Sequence, residues 1–317
     1  MNLELNDKVV VVTGASRGIG RAIALGMADE GARVVAVARD KAALDKLATE
    51  ARARSHRDAL AIGADLSQLA EVERVIAQAQ RTCGRIDVLV NNAGAIRGGD
   101  FLATPDAQWL DDWSLKLMGY IRMARAVIPV MKTHGGGRII NVVGAAARNP
   151  MATYLAGGAA NAALVNFTKG LADLGAEHGI LVTAVSPAAT RTERWDQLME
   201  QQAKAAGKTV DEIRAAAHAP YKLGRIATPE DIADVVCFLA SARASFITGI
   251  CITVDGGATP SRCPPTSRGW RRSSAWCARS RRAAAASTSS STMRAPSAAA
   301  TSCRSPTRSG PTTGASS

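Results

Sequence analysis

The chain has 317 residues, enough for one large domain with a buried core, and its formal net charge is +12. Such a charge would ordinarily suggest a nucleic-acid or membrane partner, but ten arginines and no acidic residue follow Asp255. Without those ten charges the first 257 residues carry only +2. We therefore expect no nucleic-acid and no membrane partner.

Cysteine spacing and hydropathy bear on whether the protein binds a metal, spans a membrane or is secreted. The six cysteines show no C-x-x-C pair and no zinc-binding spacing, so we expect free thiols and no metal site. No apolar run reaches the roughly 18 residues of a membrane span, and no secretory signal opens the chain. These features predict a cytoplasmic protein.

Apolar segments of strand length alternate with longer amphipathic segments. We predict strands at 8–12, 33–38, 59–64, 86–90, 138–143, 180–185 and 249–254, and helical segments at 19–30, 68–83, 106–132, 158–177 and 229–240. The alternation is typical of an α/β fold with a parallel sheet covered by helices on both faces. Ligands of such sheets bind beyond the carboxyl ends of the strands, which points to Gly14, Arg39, Asp65, Asn91, Gly144 and Pro187.

A glycine-rich turn, TGASRGIG at residues 13–20, follows the first predicted strand. Glycines let a backbone turn sharply and approach a phosphate, and the N–H groups that open the next helix attract an anion. The position between a strand and a helix favours a dinucleotide site. The alternative is an ordinary tight turn without a ligand.

This turn, together with NNAG at residues 91–94, resembles the short-chain dehydrogenase/reductase family over roughly residues 5–257. The resemblance implies a single-domain Rossmann-type fold, with a doubly wound parallel sheet of seven strands, NAD(H) or NADP(H) as cofactor, and a homotetramer or homodimer. It also implies cofactor contacts by Gly14, Ser16, Arg17, Gly18, Ile19, Gly20, Arg39, Asp65, Leu66, Asn91, Ala93, Gly94, Pro187 and Thr192.

Two arginines bear on the choice of cofactor. Arg39 ends the second predicted strand, Ala38 stands where NAD-type members of the family carry an acid, and Arg17 lies in the glycine turn. An arginine here suits the 2′-phosphate of NADP, so we predict NADP(H) over NAD(H). The alternative is that both are solvated surface charges.

The catalytic centre departs from the family pattern, which uses an Asn, a Ser, a Tyr and a Lys. Counting from the motifs without gaps, these four positions hold Lys116, Gly144, Gly157 and Asn161. A tyrosine, Tyr154, lies one helical turn before Gly157, and a sliding alignment with a three-residue insertion would make it the family tyrosine. We prefer the gap-free count.

The substitutions suggest that the catalytic groups have moved. We expect Tyr154 to exchange the proton, Lys116 to stand nearby and lower the pKa of its phenol, and Asn161 to bind the nicotinamide ribose. Thr153 or Ser186 would have to replace the missing serine hydroxyl. The alternatives are a solvated Lys116 and a Tyr154 that only packs.

Residues 187–228 follow the sixth predicted strand and are expected to form mobile helices over the site. By resemblance Thr190 and Thr192 would contact the cofactor, and Thr228 is expected to cap the helix that begins at Pro229. Four apolar or aromatic residues would either line a substrate pocket or belong to the core: Trp195, Leu198, Met199 and Tyr221.

Residues 258–317 are rich in Arg, Ser and Ala and almost without aliphatic residues, so we expect a disordered tail rather than a second domain. Back-translation of residues 287–303 in a neighbouring frame can give the sequence around Asn91. We therefore interpret the tail as an out-of-frame copy of a related gene. A nucleic-acid-binding arm is the alternative.

The sequence thus predicts an NADP(H)-dependent oxidoreductase that interconverts a carbonyl and a secondary alcohol on a small or medium apolar substrate. The alternative is a cofactor-binding but catalytically weak relative with a regulatory role.

Overall fold

A computed structural model describes residues 2–258. Seven strands are present in this range: β1 (Val9–Thr13), β2 (Arg33–Ala38), β3 (Leu60–Gly63), β4 (Val88–Asn91), β5 (Gly137–Val142), β6 (Ile180–Pro187) and β7 (Cys251–Val254). Nine α-helices accompany them in the same range: α1 (Gly18–Asp29), α2 (Lys41–Ser55), α3 (Leu69–Cys83), α4 (Asp106–Leu115), α5 (Leu117–Lys132), α6 (Leu155–Ala176), α7 (Glu193–Ala206), α8 (Val210–His218) and α9 (Pro229–Ala240).

The strands form one parallel sheet in the order β3-β2-β1-β4-β5-β6-β7. The predicted single-domain α/β fold with a seven-stranded, doubly wound parallel sheet is confirmed. The strand order reverses between β1 and β4, and the crevice at their carboxyl ends is where sheets of this kind bind ligands. The predicted tail lies outside the described residues, and the domain boundary at residue 257 stays a prediction.

Helices pack on both faces of the sheet because its central strands are apolar on both sides. In β1, Val10 and Val12 point into a core shared with α1, α2 and α9. Val9 and Val11 point the opposite way, into a core shared with α3 and α5. Successive side chains of a strand alternate between faces, so an unbroken valine run requires cover on each side.

The segment predicted as one helix over 106–132 is two helices that meet at Lys116. This residue ends α4 and begins α5, with φ −78° and ψ −59°. Its dihedral angles are helical, and the sequence contains no proline or glycine there to mark the break. The junction turns Lys116 toward the carboxyl ends of β4 and β5, as described below.

The helices beyond β6 have well-formed N-termini. The hydroxyl of Thr192 accepts from the Trp195 amide to cap α7, and Thr209 and Glu212 form a reciprocal capping box at α8. Thr228 caps α9 with Pro229 in its first turn, as the sequence predicted.

A chain of buried amides ties the middle of the sheet to α6. Asn91 Nδ2 donates to Asn141 Oδ1 at 3.0 Å, Asn141 Nδ2 donates to Thr168 Oγ1 at 2.9 Å, and Thr168 Oγ1 donates to the Leu164 carbonyl at 2.7 Å. Since all three side chains are buried, breaking the chain leaves polar groups without water or partner. It fixes β4 against β5, next to the crevice.

We predict that Asn141→Ala lowers the free energy of unfolding by about 2–4 kcal/mol, because it leaves Asn91 Nδ2 without its acceptor and removes the hydrogen bond that the Thr168 hydroxyl accepts. Urea denaturation measures the loss. Asn166→Ala, an exposed asparagine on α6, is the control and should change stability by less than about 0.5 kcal/mol. Equal stability of the two variants would contradict a structural role for the buried chain.

Candidate functional site

The turn after β1 has the backbone conformation that a phosphate site requires. Gly14 and Gly18 have φ angles of +67° and +56°. Residues other than glycine rarely adopt this backbone conformation. Arg17 precedes α1 in an extended conformation, and no side chain caps this helix. The N–H groups at its first turn are therefore available to an anion, which fits the pyrophosphate of a dinucleotide.

The turn after β4 packs directly against this glycine turn. A Cβ on Gly14 would lie 2.8 Å from the Ala93 Cα. The Thr13 hydroxyl accepts from the amides of Asn92 and Ala93 at 2.9 and 3.1 Å, and Asn92 Nδ2 donates to the Gly14 carbonyl at 3.2 Å. Thr13 and Asn92 thus hold the two halves of the crevice together, a role that the sequence analysis missed although both residues belong to the two motifs.

The remaining predicted cofactor residues surround this crevice. Thr192 Cγ2 lies 3.3 Å from the Cβ position of Gly18, so the loop after β6 reaches the glycine turn. Asp65 Oδ1 accepts from the Ser67 amide at 3.0 Å, and Leu66 is buried. Neither Asp65 nor Ser67 caps α3, because the residue at that position is Gln68. Six further predicted residues follow the strand ends: Ser16 in the turn after β1, Ile19 and Gly20 in the first turn of α1, Ala93 and Gly94 after β4, and Pro187 at the end of β6.

Arg17 and Arg39 are both exposed, and within residues 2–258 neither side chain has an ion pair or hydrogen bond. The acidic residue next to them, Asp40, is used as the cap of α2, where its carboxylate accepts from the Ala43 amide at 3.0 Å.

Tyr154 fills the space beside Gly157. A Cβ on Gly157 would overlap the Tyr154 ring at Cε1 and Cζ and would lie 2.6 Å from its hydroxyl. Tyr154 is the residue that precedes α6, not a member of the helix, so its ring folds back over the first turn. The phenol therefore lies against the position where the gap-free count puts the family tyrosine.

Asn161 stands in a similar relation to Gly144. Its Nδ2 lies 3.1 Å from the Cβ position of Gly144, and its side chain is only 2% exposed. Its Oδ1 is buried without a hydrogen-bond partner in the described part of the chain. A buried, unpaired carbonyl oxygen at the end of a strand is costly unless a ligand supplies a donor. This oxygen fits a hydroxyl or amide of a nicotinamide ribonucleoside.

Lys116 reaches the same strand end from the α4–α5 junction. Its Cδ lies 2.8 Å from the Cβ position of Gly94, and its Nζ donates to the carbonyls of Val142 and Val143, each at 3.4 Å. The ammonium also lies 5.7 Å from the centre of the Tyr120 ring. Burial, and next the Arg194 guanidinium, lower the pKa of Lys116 to about 8.

The pKa of Tyr154 differs from the expectation. Burial raises the pKa of its phenol, Arg194 acts in the opposite direction, and Asp112 raises it further. The expected lowering by Lys116 is therefore wrong: the cation that acts on Tyr154 is Arg194, which the sequence analysis did not single out. At neutral pH the phenol is protonated.

The two candidates for the missing serine hydroxyl differ in exposure. Ser186 is 1% exposed inside β6, whereas Thr153 is exposed and its carbonyl accepts from the Gly99 amide at 3.0 Å.

Of the four residues expected to line a pocket or the core, three pack together. Trp195, Met199 and Tyr221 form a cluster with Ile226, and the Tyr221 hydroxyl accepts from the Ala189 amide at 2.9 Å. Leu198 is exposed. Thr190 is buried, and its hydroxyl donates to the Ala188 carbonyl at 3.2 Å. The core interpretation therefore fits Trp195 and Met199.

Other candidate chemistry can be located or set aside within residues 2–258. Cys83, Cys237 and Cys251 are free, and burial raises the pKa of each thiol, which disfavours a nucleophilic role. Within the same residues no group of metal-binding side chains is found. No helix among them is both long and apolar enough to span a membrane.

The chain is similar to several characterised proteins. Residues 14–259 match the family model described as enoyl-(acyl carrier protein) reductase. The 2,3-dihydro-2,3-dihydroxybenzoate dehydrogenase of Bacillus subtilis is 34% identical over 80% of this chain and 97% of its own length.

Solved structures agree with this family match. The L-sorbose reductase of Gluconobacter frateurii, complexed with NADPH and L-sorbose, superposes with a TM-score of 0.79 at 31% identity, over 82% of this chain and all of that one. An NAD⁺-bound xylitol dehydrogenase superposes with a TM-score of 0.76 at 27% identity, over 80% of this chain and all of that one.

We predict opposite effects of alanine at the two adjacent glycines of α6. Gly158→Ala should raise the free energy of unfolding by up to about 1 kcal/mol, since alanine favours helix and its Cβ would make only an ordinary contact, 3.4 Å from the Ala146 carbonyl. Gly157→Ala should lower it by about 1–3 kcal/mol, because it overlaps the Tyr154 ring. Thermal or urea unfolding compares the two. Gly157→Ala as stable as Gly158→Ala would show that Tyr154 does not occupy this space.

Proposed function

The chain belongs to the short-chain dehydrogenase/reductase family, and we propose that it is an NADP(H)-dependent member that interconverts a carbonyl and a secondary alcohol. The substrate in this proposal is a small or medium molecule with an apolar body, and Tyr154, Lys116 and Asn161 carry the site. Homodimer or homotetramer formation belongs to the same proposal.

One observation carries the proposal. The ring of Tyr154 occupies the Cβ position of Gly157, and the amide of Asn161 lies next to the Cβ position of Gly144. A site that had only lost its function would have no reason to keep a phenol over one position and an amide over the other. Both lie beside a crevice whose glycine turn fits a dinucleotide pyrophosphate. The family fold alone would not support an activity.

In this proposal Tyr154, Asn161 and Lys116 have different roles. When bound, the nicotinamide cofactor supplies or accepts the hydride. Tyr154 exchanges a proton with the substrate oxygen, and its raised pKa keeps that proton in place at neutral pH, which favours reduction of a carbonyl. Asn161 Oδ1 accepts a hydrogen bond from the cofactor, and the Lys116 ammonium adds positive charge near the strand ends where negative charge develops.

The proposed preference for NADP(H) rests on the partners of Arg17, Arg39 and Asp40. Arg17 and Arg39 lack partners within residues 2–258, so a 2′-phosphate could pair with them without breaking an existing contact. Asp40 already caps α2 through Oδ1, which accepts from the Ala43 amide. The relatives include proteins complexed with NADPH and with NAD⁺, so this preference is argued from the chain's own residues.

We predict that the wild-type protein has a lower KM for NADPH than for NADH, and that Arg39→Ser raises the KM for NADPH about tenfold or more while leaving that for NADH within about twofold. Arg81→Ser, an exposed arginine near the end of α3, is the control and should change neither. Steady-state kinetics with both cofactors measure the difference. A lower KM for NADH in the wild type would overturn the preference.

We predict that Tyr154→Phe lowers kcat for carbonyl reduction by about 10²–10⁴-fold with an unchanged Kd for NADPH, because only the proton donor is lost.

Lys116→Met should lower kcat as well. Because the Lys116 ammonium is charged below its pKa of about 8, the wild-type kcat should fall as the pH rises through that value, and this fall should be absent in Lys116→Met. Lys46→Met, an exposed lysine on α2, should behave as wild type.

Two results would contradict these assignments. Wild-type turnover in both Tyr154→Phe and Lys116→Met would remove these residues from the mechanism. NADPH binding without oxidation across a panel of ketones and aldehydes would favour the second candidate, a cofactor-binding and catalytically weak relative. The observation that favours that candidate is the substitution of all four family positions, Lys116, Gly144, Gly157 and Asn161.

A further inference from the structure

The loop of residues 94–99 gathers the groups around Tyr154. Its first residue, Gly94, lies against the Lys116 side chain, and the Ile96 carbonyl accepts from Arg194 Nη2 at 3.0 Å. Farther along, the Cβ position of Gly98 lies 3.9 Å from Cδ2 of the Tyr154 ring. Three residues of this short loop, Gly94, Ile96 and Gly98, therefore lie next to Lys116, Arg194 and Tyr154 in turn.

The three cationic side chains on or next to this loop differ in whether a carboxylate pairs with them. Arg97 is neutralised, since its guanidinium bonds Asp112 at 2.9 Å and Asp111 at 2.6 Å. Lys116 and Arg194 have only backbone carbonyl partners within residues 2–258. Lys116 and Arg194 thus have no carboxylate partner among the described residues, and Arg194 is close enough to affect the pKa of both Lys116 and Tyr154.

The start of α7 does not itself favour a cation at Arg194. This residue lies in the first turn of α7, where the helix dipole disfavours a positive charge and where Glu193 and Asp196 are the favourable residues. The guanidinium is exposed on one side and reaches the crevice on the other. Apart from the Nη2 bond to Ile96, the guanidinium donors of Arg194 have no partner within residues 2–258, and such donors suit a carboxylate.

The residues that surround Tyr154 are apolar, so they would accommodate an apolar part of a substrate. Tyr154 packs in an apolar cluster with Ile96, Ala156, Ala160 and the indoles of Trp109 and Trp113. Trp113 is fixed by its Nε1, which donates to the Ala156 carbonyl at 3.0 Å. The surroundings of the Tyr154 phenol thus include an apolar cluster and the positive charge of Arg194.

We infer that the substrate is an oxo acid, or the corresponding hydroxy acid, whose carboxylate pairs with Arg194 while its carbonyl faces Tyr154. This inference rests on the proposed function and adds the substrate class. Lys116 supports the same anion through its charge, and the apolar cluster accommodates the rest of the molecule. A neutral ketone of the same shape would leave both cations unpaired.

Paired probes test the inference with the full chain saturated with NADP⁺, with which an oxo acid forms a complex that cannot react. Acetoacetate, levulinate and benzoylformate are each compared with their methyl esters, and equilibrium binding is followed by the change in tryptophan fluorescence. We expect the acid of at least one pair to bind about tenfold or more tightly than its ester. In Arg194→Gln this preference should shrink to about twofold or less, with an unchanged Kd for NADPH. Arg125→Gln, an exposed arginine on α5, should keep the wild-type preference.

Three outcomes would overturn the inference: no pair in which the acid is preferred, a preference that persists in Arg194→Gln, or a weaker Kd for NADPH in that variant, which would assign Arg194 to the dinucleotide. The proposed function fails differently, through absence of NADPH binding or of carbonyl reduction in the wild type. Esters that are reduced as well as their acids would retain the proposed function and exclude the oxo-acid class.

Discussion

Close packing between the turns after β1 and β4 is the constraint on which the rest of the site depends. Gly14 meets Ala93 with no space for a Cβ, and the Thr13 hydroxyl accepts from two amides of the β4 turn. This contact sets the width of the crevice at the point where the strand order reverses. It also places the start of α1 next to the turn after β4, whose Gly94 lies against Lys116.

Two glycines of the site leave space for larger neighbouring side chains. The Tyr154 ring overlaps the Cβ position of Gly157, and the Asn161 amide lies 3.1 Å from that of Gly144. Each pair depends on the glycine, because a Cβ at 157 would overlap the tyrosine and one at 144 would press on the asparagine. Two cations come from other elements: Lys116 is at the junction of α4 and α5, and Arg194 is in α7.

Much of the fold could be predicted because it follows from local pattern. Valine-rich strands and glycine turns are short-range signals, and they gave all seven strands of the sheet. The helix break at Lys116 could not be predicted, since its dihedral angles are helical and no breaker residue marks it. The direction of the Tyr154 pKa shift was wrong because burial depends on distant segments. Arg194 was missed because a lone exposed arginine has no sequence pattern, and only its contact with Ile96 reveals it.

A crystal structure of the full chain with NADPH tests the account most directly. We predict the pyrophosphate on the backbone amides of Gly18–Gly20 and a hydrogen bond from the nicotinamide ribonucleoside to Asn161 Oδ1, with the Tyr154 hydroxyl facing the nicotinamide. A dinucleotide bound elsewhere, or an Asn161 Oδ1 that remains unpaired beside a fully ordered cofactor, would contradict the account.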